Sequence, residues 1–184
     1  MKKLLLLTGD IAAGKSTFSR MLSERYHTAA FQKDSIKEVL ADHIGFNGRE
    51  ENRRLSGAAL GIMYELFARL SVTGQNIILE ANFHEAELEK LHALAREKEY
   101  DTLTLVPRGD PEVLHQRYVN RMEKENRHPA HLSTAIHIQS EFIRAAEFIR
   151  RERTPGDVIE IDATDFSYQG DEKLLERIGG FLLC

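Results

Sequence analysis

A chain of 184 residues has the length of one domain and can bury a substantial core. Hydrophobic residues at 42% and charged residues at 29% fit a globular protein, and a formal charge of −4 argues against coating nucleic acid by bulk electrostatics while leaving room for a local basic groove. The single cysteine, Cys184, excludes a disulfide framework and a cysteine metal cluster, and fits a reducing, cytoplasmic setting.

Met1-Lys2-Lys3 and the leucines after it imitate a secretory leader, but the apolar run stops at Thr8-Gly9-Asp10 with no small-residue cleavage site. Lys3–Leu7 therefore reads as a buried first strand. No other apolar stretch approaches membrane-spanning length, so no membrane partner is expected.

Gly9-Asp10-Ile11-Ala12-Ala13-Gly14-Lys15-Ser16 follows at once and fits G-x-x-x-x-G-K-[ST]. It opens a helix, Lys15–Tyr26, with Phe18, Met21 and Leu22 on one face. Glycines at both ends let the backbone wrap a phosphate, because a side chain there would block approach or forbid the dihedral angles. The amides of the loop and of the helix N-terminus then aim positive partial charge at phosphate oxygens. Lys15 reaches the β- and γ-phosphates as a point charge, and the Ser16 hydroxyl suits Mg²⁺. Gly9, Ile11, Ala12, Ala13, Gly14, Lys15, Ser16 and Thr17 are thus the candidate nucleotide cradle.

Thr28–Phe31, Asn76–Leu79, Thr102–Val106 and Val158–Ile161 are further apolar runs of strand length, each bounded by turn or cap residues. Stretches with helical spacing separate them: Ser35–His43, Asn52–Val72, Glu85–Lys98, Pro111–Met122, Ser133–Arg151 and Asp171–Phe181. Gly45–Arg54 and Asn126–Ser133 are the least regular segments and read as loops at the active-site edge. The alternation predicts one domain, residues 1–184: a three-layer α/β/α sandwich around a five-stranded parallel sheet.

Asp34 closes the second run, where carboxyl ends of parallel strands share one edge with the phosphate loop. A carboxylate there can accept a hydroxyl proton and orient the oxygen for in-line attack, or it can simply cap the helix from Ser35. No guanine-reading N-K-x-D element occurs, and the third run ends Leu79-Glu80-Ala81-Asn82 rather than in paired acids. Both features favour a kinase using ATP over a GTPase or a motor.

With Lys33-Asp34-Ser35-Ile36-Lys37 at this distance from Gly9–Thr17, the chain resembles the small P-loop kinases of the polynucleotide-kinase, zeta-toxin and chloramphenicol-phosphotransferase group. More distantly it resembles the nucleoside-monophosphate, gluconate and shikimate kinases, or an AAA-type P-loop ATPase. The resemblance implies the P-loop kinase fold with a small helical lid over residues 117–131, and Asp34 as the base that activates the acceptor. It also implies that Arg117 packs on adenine, that Arg121 contacts phosphate with Arg127 as a third lid arginine, and that Thr164 and Asp165 touch the adenine edge. For each of these the alternative is structural: a solvated charged helix for the arginines, a plain turn for Thr164 and Asp165.

Glu80 departs from the aspartate many relatives carry; it holds a magnesium-bound water, contacts the acceptor, or is structural. His128, His131 and His137 do not have metal-ligand spacing. Lys33, Lys37, Arg49, Arg53, Arg54, Asn82, Phe83 and His84 are candidates on the acceptor side; the arginines either grip a phosphate or carboxylate of the acceptor or form a plain helix surface with Glu50 and Glu51. The expected activity is transfer of the γ-phosphate of ATP-Mg²⁺ to a hydroxyl of a small molecule, with Lys15, Asp34 and Arg121 as catalytic residues. A nucleic-acid 5′-hydroxyl and a nucleotide-gated regulatory role are the alternatives.

Overall fold

The run Leu4-Leu5-Leu6-Leu7 has no exposed side chain, although successive residues of a strand point to opposite faces. Both faces must therefore be covered, as in a parallel sheet between helical layers. In the computed structural model, which describes residues 2–124, 127–132 and 136–183, that is the arrangement. Strands β1 (Lys2–Leu7), β2 (Ala29–Gln32), β3 (Ile77–Glu80), β4 (Tyr100–Arg108) and β5 (Val158–Asp162) form one sheet in the order β2-β3-β1-β4-β5. Each pairing is parallel, with Leu4 opposite Ile77 and Thr102, and Leu7 opposite Glu80 and Leu105.

Eight α-helices connect and cover the strands among the described residues: α1 (Lys15–Tyr26), α2 (Lys33–Ile44), α3 (Gly48–Leu70), α4 (Glu85–Glu97), α5 (Pro111–Lys124), α6 (Pro129–Leu132), α7 (Gln139–Arg150) and α8 (Glu172–Leu183). Leu5 and Leu7 face Phe18 and Leu22 of α1, Leu114 of α5, Phe142 of α7 and Ile178 and Leu182 of α8. Leu4 and Leu6 face Met63 and Phe67 of α3 and Leu88, Leu91 and Ala95 of α4. Edge-on aromatic pairs brace each layer, Phe18 with Tyr168 at 5.0 Å and Phe67 with Tyr100 at 5.2 Å. Each fully buried large side chain contributes about 1.5–3 kcal/mol, so these two layers carry most of the stability.

The chain moves from β1 outward to β2 and back through β3, then crosses to β4 and β5 on the other side. The carboxyl ends of β1, β3 and β4 thus surround the point where the strand order reverses, the place at which open α/β sheets bind ligands.

Boundaries differ from the sequence expectation in informative places. The predicted loop 45–54 is helical from Gly48, because polar side chains support that turn locally: Glu51 accepts the Asn47 amide at 2.5 Å, and Arg54 pairs with Glu50 at 2.7 Å. No apolar stripe marks it. Within the predicted loop 126–133, Pro129–Leu132 form the short α6. The helix predicted from Ser133 starts at Gln139; residues 136–138 are not helical, and 133–135 lie outside the described residues. The segment 48–73 is also long and apolar enough to cross a membrane by length and composition, contrary to expectation. Its apolar stripe, Leu55, Ala59, Met63 and Phe67, is buried inside the protein.

Candidate active site

Gly9 leaves β1 with φ of 119°, and a Cβ at this position would lie 2.4 Å from the Pro107 carbonyl oxygen. Only glycine lets the loop turn this close to β4. The Asp10 amide then donates to that same carbonyl at 3.0 Å. Gly14 closes the loop with φ of 85°, its missing Cβ leaving room for the Phe166 ring, 2.8 Å from where that atom would be. The Tyr168 hydroxyl donates to the Ala13 carbonyl at 2.7 Å, so the β5–α8 connection braces the loop from behind.

Lys15 is buried, and its ammonium donates to the carbonyls of Gly9 at 3.1 Å and Asp10 at 2.6 Å. Burial lowers its pKa from the ordinary lysine value, opposed by the charges of Glu80, Asp10 and Asp34. Glu80, at the end of β3, is 5% exposed and accepts the Ser16 hydroxyl at 3.0 Å. Burial raises its carboxyl pKa, with Lys15 and the Ser16 hydrogen bond acting the other way. The site therefore holds a hydroxyl and a buried carboxylate within one hydrogen bond, a hard oxygen pair suited to Mg²⁺ or a water on it. A buried carboxylate whose ionised form is penalised gains most from an added cation, so the residues fit the ion.

Asp34 lies in the first turn of α2, not at the end of β2; Gln32 occupies the cap position and makes no side-chain cap bond. Gln32 donates from its amide to the Ser16 carbonyl at 2.7 Å, fixing β2 and the start of α2 against α1. An open cleft of about 640 Å³ runs over the loop and is lined by Ile11, Ala12, Gly14 to Thr17, Asp34, Glu80, Asn82, Arg117, Arg121 and Arg127. Most of the sequence candidates thus converge on one cavity. Gly9 and Ala13 do not line it. Lys33, Thr164 and Asp165 do not line it, and Arg53 instead lines an adjoining recess of about 350 Å³. That recess shares Asp34, Asn82 and Arg127 with the main cleft.

Arg117 donates to the carbonyls of Ala163, at 2.8 Å, and Thr164, and its guanidinium lies 4.1 Å from the centre of the Phe166 ring. It therefore joins α5 to the β5–α8 loop at the edge of the cleft. Thr164 and Asp165 shape that loop internally: the Thr164 hydroxyl accepts the Asp110 amide at 2.9 Å, and the Asp165 carboxylate accepts the Ser167 amide at 2.8 Å. Arg121 lines the cleft, and its charge adds to the lowering of the Lys15 pKa. On the far side, Lys37 and Asn52 both donate to the Ala130 carbonyl, at 3.0 and 2.8 Å, docking α6 onto α2 and α3. His128 and His131 pair with Asp42 and Glu38 at 2.9 and 2.6 Å, and no cluster with metal-binding geometry occurs among the described residues.

Two features escaped sequence reasoning. Asp10, 4% exposed, forms a bidentate ion pair with Arg150 of α7, its Oδ1 accepting from Nε at 3.2 Å, and it also accepts the Gly109 amide at 3.1 Å. Arg150 donates in addition to the Gly109 carbonyl at 2.5 Å. In the sequence Arg150 is one of three arginines within four residues, and Asp10 is an unconstrained position of the loop pattern. Phe166 was the other: only the fold brings an aromatic ring beside Arg117 at the cleft mouth.

The fold and this site define a nucleotide-binding protein of the P-loop small-kinase superfamily. A family model described as an AAA domain matches residues 4–144, and the chain belongs to that family. Among solved structures it is similar to a protein of Chloroflexus aurantiacus assigned provisionally as a kinase, at 25% identity, 98% coverage of both chains and a TM-score of 0.85. It shares its fold with shikimate kinase from Bacteroides thetaiotaomicron (16% identity, 99% of both chains, TM-score 0.63). It also shares it with Kti12 from Chaetomium thermophilum in complex with ADP-AlF3 (17% identity, 97% of this chain and 98% of that one, TM-score 0.65). No curated protein sequence matches.

Proposed function

We propose that this protein transfers the γ-phosphate of ATP to a hydroxyl of a small-molecule acceptor, with Asp34 as the general base. The observation that carries the reading is the shared cleft, in which Lys15 and Ser16 of the phosphate loop, Asp34, Glu80 and Arg121 all face one space. The loop amides and Lys15 hold the β- and γ-phosphates, while Arg117 and Phe166 supply a flat cationic and aromatic wall for the base. Asp34 takes the proton of the acceptor hydroxyl as its oxygen bonds to the γ-phosphorus. The bond from that phosphorus to the bridging oxygen breaks, and ADP leaves with the electron pair. Lys15 and Arg121 stabilise the charge spread over the transferring group, and closure of α5 and α6 keeps water out.

Ser16, with Glu80 behind it, would hold Mg²⁺, which when bound neutralises charge on the β- and γ-phosphate oxygens. Among the described residues Asp34 has no ion pair or hydrogen bond that would keep it from an acceptor. We assign the protein to the cytoplasm, where ATP and Mg²⁺ are supplied. Mass spectrometry of a panel of hydroxyl compounds incubated with ATP, Mg²⁺ and protein tests the proposal. A product heavier by one phosphate, dependent on Lys15, is the expected result. ATP binding with no phosphorylated product from any small molecule would leave a regulatory nucleotide switch as the better account.

A further inference from the structure

The recess beside Asp34 has an unbalanced charge. Lys37, Arg49, Arg53 and Arg127 line it, against Asp34 as the one carboxylate. Arg49 and Arg53 stand one helical turn apart on α3, so their guanidinium groups point from the same face. Their neighbours show what neutralisation would look like here. Arg54 is paired with Glu50 at 2.7 Å, and Glu51 is engaged by the Asn47 amide. Neither Arg49 nor Arg53 has an ion pair or hydrogen bond among the described residues, and Glu50 and Glu51 do not line the recess. The Arg127 Nε is buried without a partner in the same wall. Clustered cations repel one another, and desolvated donors left unmatched cost stability, so the arrangement gains when an anion enters.

From this we infer that the acceptor is an alcohol that also carries an oxyanion, a carboxylate or a phosphate, seated between Arg49 and Arg53 so that its hydroxyl reaches Asp34. The inference rests on the phosphotransfer reading and deepens it. A recess of about 350 Å³ opening into the nucleotide cleft at Asp34 and Asn82 holds a small hydroxy acid or sugar phosphate, with the anion at one end and the hydroxyl at the other. Guanidinium forks match such oxygens in pairs, which would fix the hydroxyl relative to the γ-phosphate. Specificity then follows from charge: a neutral polyol leaves the arginines unmatched.

The experiment uses the whole protein saturated with Mg²⁺ and the non-hydrolysable analogue AMP-PNP, so that the phosphate loop is filled. Sulfate, acetate and glycerol are titrated by calorimetry at constant ionic strength. Saturable binding of sulfate or acetate, with none for glycerol, is expected; a preference for sulfate points to a phosphorylated acceptor and for acetate to a carboxylic one. Replacing both arginines (Arg49→Gln with Arg53→Gln) should weaken the anion by at least about tenfold. The paired Arg49→Lys and Arg53→Lys variant, which keeps charge and loses the fork, should fall between. Both variants change exposed positions, and unaltered AMP-PNP affinity verifies that they fold. Equal binding of glycerol and the anions, undiminished anion binding by the glutamine variant, or tighter capture of a 5′-hydroxyl oligonucleotide than of either anion would overturn the inference. Failure of the phosphotransfer reading looks different: anions bind as described, yet hydroxy acids and sugar phosphates receive no label from ATP.

Discussion

The two walls of the cleft are built in opposite ways. On the phosphate-loop side, Lys15, Asp10 and Glu80 are buried, and each is tied down: Lys15 to backbone carbonyls, Asp10 to Arg150 and the Gly109 amide, and Glu80 to the Ser16 hydroxyl. On the side of the adjoining recess, where we propose the acceptor sits, Arg49 and Arg53 are exposed on the first turns of α3, and the short α6 is docked by hydrogen bonds from Lys37 and Asn52. Chemistry shared by every nucleotide calls for donors fixed before the ligand arrives, and the rigid sheet edge provides it. The proposed acceptor-binding groups ride on the exposed first turns of α3, which can change without disturbing the core that its later turns build through Met63 and Phe67.

Replacing Lys15 is the most severe way to probe that difference. Lys15→Ala should lower phosphoryl transfer by about a thousandfold or more, because among the described residues no other buried cation lines the main cleft. Transfer assays at saturating ATP check it, and activity within tenfold of the parent protein would mean that the loop is not the phosphate site. Arg150→Ala tests the rigidity of the same wall. It strands the Asp10 carboxylate, 3% exposed at its side chain, and should cost about 3 kcal/mol in denaturant unfolding. The double change Asp10→Leu with Arg150→Met should recover much of that loss, while a full additive loss would show that the pair does not act as a unit.

Arg117→Ala removes the stack on Phe166 and the bonds to the Ala163 and Thr164 carbonyls. Nucleotide affinity should fall by about tenfold in calorimetry, less than for Lys15, because the phosphates retain their contacts. An unchanged affinity would detach the base from this wall. The smallest effect lies away from the cleft. His92 is 6% exposed, and burial, assisted by Arg96, lowers its pKa below the ordinary value of 6.5. The folded protein therefore binds the proton less readily than the unfolded chain, so the stability His92 contributes above pH 6.5 is lost as the pH falls towards its depressed value. Thermal unfolding followed across that range should slope downward towards acid, and His92→Gln should flatten it.

How far the sequence could be read follows the same division. The P-loop was legible because its chemistry constrains glycine, lysine and hydroxyl at fixed spacing, and β1, β3 and β4 because burial on both faces makes them apolar runs, whereas the edge strands β2 and β5 are partly exposed. Helix α1 was placed at its observed bounds for the same reason. The first turns of α3 were not, since the Arg54–Glu50 pair and the Glu51 carboxylate on the Asn47 amide support them by local polar contacts and leave no apolar period. Asp34 was read at the edge that it occupies but assigned to a strand end instead of the first turn of α2. Arg150 could not have been singled out, because its partner lies 140 residues away and only the crossing of α7 over the phosphate loop brings them together.

Single-turnover transfer from labelled ATP by Asp34→Asn, with nucleotide and acceptor both saturating, tests the central claim most directly. The substitution keeps the shape of the side chain and removes its capacity to take a proton, so the rate should fall by about 10²–10⁴-fold with ATP affinity within twofold. A rate equal to that of the parent protein would contradict the assignment of Asp34 as the base and, with it, the account of how this cleft works.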